Sequence, residues 1–112
     1  MATTVHTPPA DLVRRLRLSG EESQQVFRAL LDALSRPGHI VALPSSVTDR
    51  MPPALVPAAA LADVEVTLAV LSGTGDEAWG AALIAATGAR TVPLDLAQMV
   101  VGLRALSPTE LV

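Results

Sequence analysis

Residues 23–44 constrain the fold more than any other segment, because they combine an amphipathic pattern, a helix stop and an apolar run. Apolar residues recur there at three- and four-residue steps and share one face of a predicted helix: Val26, Phe27, Leu30, Leu31 and Leu34. Pro37 ends that helix, and Gly38 permits a sharp reversal. Residues 40–43 contain no charge and predict a strand covered on both faces. We therefore expect the leucine face to pack on a sheet that contains this strand.

The composition limits the chain to one domain and removes several kinds of chemistry. With 112 residues, 50% of them hydrophobic, it is long enough to bury a single core. It has no cysteine, which excludes thiolate metal sites, and we expect neither a metal nor a cofactor. All eight basic residues are arginine, so there is no lysine for a Schiff base. A net charge of −3 argues against nucleic acid as a partner.

Neither a secretion signal nor a membrane partner is predicted. The first twenty residues lack the apolar stretch of a signal peptide, and the uncharged run 51–62 is interrupted by prolines. A chain without cysteine suits a reducing compartment, so we expect a cytoplasmic protein.

The order of the predicted elements indicates one α/β domain behind a short N-terminal segment. Residues 1–18 are expected to be a flexible lead-in and residues 19–112 the domain. Ser19 and Glu22 have the spacing of a capping box, so the first long helix should begin near Gly20. Three strands are predicted between helices, near residues 39–43, 65–71 and 97–103. This order is typical of a three-layer-like sandwich with a parallel or mixed sheet, and we expect the mixed sheet.

Three residues around the helix stop are candidates for an anion site. The guanidinium groups of Arg28 and Arg36 match the oxygens of a phosphate or phosphonate, and His39 lies just past the reversal. Each also has an ordinary structural explanation. Arg36 suits the negative end of the helix dipole, Arg28 has Asp32 one turn away, and His39 fits a half-exposed position. No catalytic residue can be assigned from the sequence.

Residues 72–75, Ser-Gly-Thr-Gly, lie between a predicted strand and a predicted helix. That is the setting of a phosphate-binding loop, but the third glycine and the Lys-Ser/Thr end are missing. A plain strand-to-helix connection therefore explains this loop better.

A longer pattern around the helix stop resembles a known family. It comprises Gln24, Phe27, Arg28, Leu30, Leu31, Ala33, Ser35, Pro37, Gly38 and residues 40–43. At these offsets the chain resembles the start of the PhnH subunit of the bacterial carbon–phosphorus lyase system. The resemblance implies a subunit that acts with partner subunits to join a phosphonate to the ribose of a purine nucleoside triphosphate, displacing the base. It also implies a fold like the large domain of pyridoxal-phosphate-dependent transferases, without a working cofactor site.

The chain also departs from that family. Residues 86–90 read Ala-Thr-Gly-Ala-Arg where relatives tend to have His-Thr-Gly-Ala-Pro, so the histidine and the proline are lost. Residues 107–110 have the pattern of a helix start, yet the sequence ends at Val112. Since family members are considerably longer, we expect the chain to be the N-terminal part of a PhnH-like domain.

Three functional hypotheses remain. The first is a subunit of the carbon–phosphorus lyase core, not catalytic alone, which forms a homodimer, binds other core subunits and contacts phosphonate or nucleotide. The second is a non-catalytic dimerising module derived from a truncated paralogue. The third and weakest is an independent nucleotide-binding enzyme that uses the loop at residues 72–75.

Overall fold

The computed structural model describes residues 9–111, which form five α-helices and three strands. The helices are α1 (Ala10–Leu16), α2 (Gly20–Ser35), α3 (Ser45–Thr48), α4 (Val56–Leu61) and α5 (Glu77–Thr87). The strands are β1 (Thr67–Leu71), β2 (Arg90–Thr91) and β3 (Met99–Gly102). Short 3₁₀ turns span Pro53–Leu55, Leu94–Leu96 and Pro108–Leu111. Residues 1–8 of the predicted lead-in lie outside the described residues.

The three strands form one sheet in the order β2-β1-β3, and β1 pairs in parallel with both neighbours. Leu68 is opposite Thr91 of β2 on one side and Met99 of β3 on the other. The predicted α/β class is confirmed, and the strands predicted near 65–71 and 97–103 are present. The mixed sheet was wrong, because every pairing in the described part of the chain is parallel. The three-layer arrangement stays a prediction.

The strand predicted at residues 40–43 is also wrong. These residues have no regular structure, and the Ile40 side chain is 93% exposed. The central strand β1 already has a partner on each side, and the chain after residue 43 enters α3 instead. An uncharged apolar run is therefore not sufficient for a strand, since residues 40–43 pair with none of the three strands.

Helix α2 begins and ends as predicted but packs through a different face. Ser19 and Glu22 form the full capping box: the Ser19 N–H donates to Glu22 Oε1 at 2.9 Å, and the Glu22 N–H donates to Ser19 Oγ at 3.1 Å. Val26 is buried and Leu30 half-buried, on the side of the helix that packs against α4. Phe27 is 47% exposed and Leu34 is 79% exposed. Neighbouring residues lie about 100° apart around a helix, so the predicted apolar face divides into two stripes. The inward stripe, Val26 and Leu30, reaches the core, and the outward stripe, Phe27, Leu31 and Leu34, does not.

The core lies where α1, α2, α4 and α5 meet the sheet. Its fully buried large side chains are Leu16, Val26, Val47, Leu55, Val56, Leu68 and Leu83. Leu16 belongs to α1, which packs against α5, so part of the predicted lead-in contributes to this core. The division into a lead-in at 1–18 and a domain at 19–112 stays a prediction.

Candidate functional site

The predicted anion-binding residues do not converge on one site. Arg36 donates to Asp32 from Nη2 to Oδ1 at 2.6 Å, from Nη2 to Oδ2 at 2.8 Å and from Nε to Oδ1 at 2.9 Å. The sequence predicts Asp32 beside Arg28, but in the structure Asp32 is paired with Arg36. Eight residues separate the two arginines, which corresponds to about 12 Å along a helix axis. Arg28 and His39 are exposed, and the backbone N–H of His39 donates to the Arg36 carbonyl at 3.0 Å.

The loop at residues 72–76 makes a tight turn between β1 and α5. The Asp76 N–H donates to the Gly73 carbonyl at 3.2 Å, and Gly75 has a φ of 89°. Asp76 directly precedes α5, but its backbone is helical and its side chain does not cap the helix. Instead its Oδ2 lies against Gly73, where an added Cβ would be only 3.2 Å away.

A charged pair that the sequence did not reveal lies beside this loop. Arg104 follows β3, and a Cβ built on Gly73 would lie 3.6 Å from the Arg104 Cβ. Arg104 donates to Glu110 from Nη1 to Oε1 at 2.9 Å and from Nη2 to Oε2 at 2.7 Å. These bonds, together with the Ser107 N–H, lower the pKa of Glu110 to about 2. The Arg104 guanidinium is therefore held by a carboxylate at the carboxyl edge of the sheet.

Glu22, like Glu110, pairs with an arginine and also accepts a hydrogen bond from a backbone N–H. Besides capping α2, it accepts from Arg50 Nη1 at 2.8 Å and from Nη2 at 3.2 Å. The Ser19 N–H and the Arg50 guanidinium both lower the pKa of Glu22. Arg50 is half-buried, and its Nε is enclosed without a hydrogen-bond partner among the described residues.

A cavity of about 380 Å³ lies at the carboxyl end of β1. One wall is formed by residues 68–72, and the others by α5 and the chain that follows β2. Its polar groups are the hydroxyls of Ser72 and Thr91 and the carboxylate of Glu77. Ligands of open α/β sheets bind outside the carboxyl ends of the strands, so this is the best-formed candidate site in the described chain.

The described residues contain neither a cluster of metal ligands nor a helix able to cross a membrane. Within residues 9–111 no group of three His, Asp or Glu side chains has the arrangement to hold a metal ion. Over the same range, no helix combines the length and the apolar character needed to cross a bilayer.

The comparisons with known proteins identify one family. No curated protein matches the chain, and no solved structure matches it, so the implied likeness to pyridoxal-phosphate-dependent transferases has no support from a known fold. The family model for PhnH, described as a bacterial phosphonate metabolism protein, matches residues 17–110. This match includes α2, the whole sheet and the candidate site. The chain therefore belongs to the PhnH family of bacterial phosphonate metabolism proteins.

Proposed function

We propose that the chain acts as a subunit of the carbon–phosphorus lyase core, in the step that joins a phosphonate to the ribose of a purine nucleoside triphosphate. The family match over residues 17–110 is the observation on which this proposal depends. In this role the chain supplies a scaffold and contacts in the cytoplasm, and the chemistry is completed by partner subunits.

A surface suited to such partners is present on α2. Phe27, Leu31 and Leu34 project from one side of the helix and are all exposed; we call them the outer α2 face. Their spacing of four and three residues places them along one stripe. Large apolar side chains that form a contiguous exposed patch are typical of protein interfaces. We propose that this face contacts a subunit of the core or a second copy of the chain.

Arg28 is the best placed of the three candidate anion-binding residues. It is exposed next to Phe27, whereas the guanidinium of Arg36 is already engaged by Asp32. We propose that Arg28 binds a phosphonate or nucleotide oxygen once a partner covers the outer α2 face, and that Arg36 and His39 belong to a separate contact at the helix end. Partial burial by a partner would strengthen such a charged hydrogen bond.

Co-purification tests the proposal directly. The tagged chain is co-expressed with the other core subunits, and the composition of the purified complex is measured by native mass spectrometry. We expect a heteromeric complex that is lost in Phe27→Glu and Leu34→Glu and kept in Gln25→Glu, which changes an exposed polar residue of the same helix. Retention of the complex in both apolar variants would contradict the proposed surface, and absence of any complex would contradict the subunit role.

The alternative function is a dimerising module without a heteromeric partner. The outer α2 face also favours this hypothesis, because a self-complementary apolar stripe is sufficient for a symmetric dimer. Light scattering after size exclusion separates the two. A stable dimer that does not bind the core subunits supports the dimerising module. A heteromeric complex with the core subunits rules out that hypothesis.

A further inference from the structure

One edge of the central strand β1 is left open beyond β2. The Val92 N–H donates to the Leu68 carbonyl at 3.0 Å, and this is the last backbone bond on that side of β1 in the described chain. The chain then leaves the sheet at Pro93 and turns into the 3₁₀ segment Leu94–Leu96. Since residues two apart in a strand direct their backbone groups to the same side, the N–H and C=O of Val70 point to this open edge.

The open edge forms a wall of the cavity of about 380 Å³. Across from it lie Thr91, Val92 and Leu94, and the roof is formed by Ala81 and Ile84 of α5. The cavity thus has apolar walls, one unpaired backbone donor and one unpaired backbone acceptor. The hydroxyls of Ser72 and Thr91 and the Glu77 carboxylate complete its polar groups. Sites for small ligands have this composition, and the volume lies within their usual range.

The chemistry of the cavity narrows the kind of ligand. An added β-strand would need a row of backbone partners, and the open edge offers a single donor–acceptor pair, so a peptide strand is disfavoured. No basic side chain lines the cavity, and Glu77 repels anions at its rim, so a phosphate or phosphonate group is disfavoured as well. A flat heteroaromatic ring combines apolar faces, which suit these walls, with a polar edge that can meet one donor–acceptor pair.

We propose that this cavity binds an uncharged planar heteroaromatic ring that presents a donor and an acceptor side by side to the Val70 backbone. A purine base and an aromatic carboxamide share this chemistry. The ring lies against Ile84 and Leu94, and its polar edge exchanges two hydrogen bonds with Val70. The site is separate from the outer α2 face and does not depend on the proposed subunit role.

Amide NMR on the full chain tests the site. Adenine, adenosine, nicotinamide and methylphosphonate are titrated separately, and the shifts of the backbone amides are followed. We expect adenine or nicotinamide to move the Val70 and Ser72 amides, and methylphosphonate to leave them unchanged. Adenosine binding as well as adenine would identify the ring of a nucleoside as the ligand, and binding of adenine alone would identify a free base.

Two variants of α5 provide the control. Ala81→Leu fills the cavity from its roof, and Ala85→Leu adds the same side chain on the exposed side one turn later. We expect Ala81→Leu to weaken ring binding at least tenfold and Ala85→Leu to leave it unchanged, with both variants showing the native amide spectrum elsewhere. Failure of both rings to bind, or equal binding by both variants, would overturn the proposal.

Discussion

At the scale of single residues, backbone conformation and paired charges decide which substitutions the fold tolerates. Gly88 ends α5 with a φ of 76°, and an added Cβ would lie 2.8 Å from Val64 Cγ1. Gly20, at the start of α2, has open space around it. The two glycines therefore differ in both strain and space, and the same substitution should act in opposite directions at the two positions.

We expect Gly88→Ala to lower the free energy of unfolding by roughly 1–3 kcal/mol, because alanine is strained in the left-handed region and meets Val64. Gly20→Ala is the matched control and should raise it by roughly 0.5–1 kcal/mol, since alanine favours the helix. Urea denaturation followed by circular dichroism measures both. Equal effects of the two substitutions would contradict the assigned conformations.

The Arg104–Glu110 pair leads to a prediction about pH. Because the folded-state pKa of Glu110 is lowered to about 2, its contribution to stability is present above its ordinary pKa and is lost as the pH falls toward 2. NMR titration of the Glu110 side chain should give a midpoint near that value. Arg104→Gln should move the midpoint up toward the ordinary range, and Arg90→Gln, which removes an exposed arginine elsewhere, should not. An unchanged midpoint in Arg104→Gln would show that the pair does not form.

At the scale of elements, α1 packs on the rest of the molecule through one fully buried side chain, Leu16, and two partly buried ones, Leu12 and Val13. Leu16 is 1% exposed, whereas its neighbour Arg15 lies on the solvent side. The helix is only seven residues long and has no side-chain cap at its start, so its stability must come from packing against α5.

We expect Leu16→Ala to cost roughly 2–5 kcal/mol of unfolding free energy, as for other leucines removed from a core. Arg15→Ala should change it by no more than about 0.5 kcal/mol. Chemical denaturation measures the difference. A loss in Leu16→Ala as small as that in Arg15→Ala would favour the expectation that residues 1–18 are a flexible lead-in.

At the scale of the whole molecule, the two stripes of α2 separate folding from assembly. Leu30 belongs to the inward stripe and Leu34 to the outer α2 face. The inward stripe stabilises the fold because it is buried against α4. The outer α2 face is available for contacts with another chain.

We expect Leu30→Ala to lower the free energy of unfolding by roughly 2 kcal/mol or more, and the melting temperature to fall with it. Leu34→Ser should leave stability within about 0.5 kcal/mol but reduce self-association or entry into the core complex. Thermal melting and light scattering measure the two effects separately. A large loss of stability in Leu34→Ser would mean that the outer α2 face is part of the folded core.

Local patterns predicted most elements, and tertiary placement was the part they missed. The capping box at Ser19, the Pro-Gly stop, β1 and β3 all depend on nearby residues, and all are confirmed. The strand at residues 40–43 depended on where the sheet lies, which no local pattern records. Nor could the local pattern predict which face of α2 reaches the core, because both of its stripes are apolar.

The candidate site was less predictable than the fold. The cavity exists because β2 is only two residues long and the chain leaves the sheet at Pro93. Pro93, two residues after the end of β2, is the one sequence signal of an open edge, because proline cannot donate a backbone hydrogen bond to the sheet. The pairs of Glu22 with Arg50 and Arg104 with Glu110 join residues by three-dimensional proximity, which charge patterning alone does not reveal.

The double role of Glu22 links the opening of two segments. A single carboxylate holds the first turn of α2 and, 28 positions later in the chain, the turn around Arg50. Opening of either segment breaks this ion pair, so we expect the two segments to open together as one foldon. Native-state hydrogen exchange is expected to give the amides of both segments the same opening free energy, and Glu22→Gln to lower the two values together.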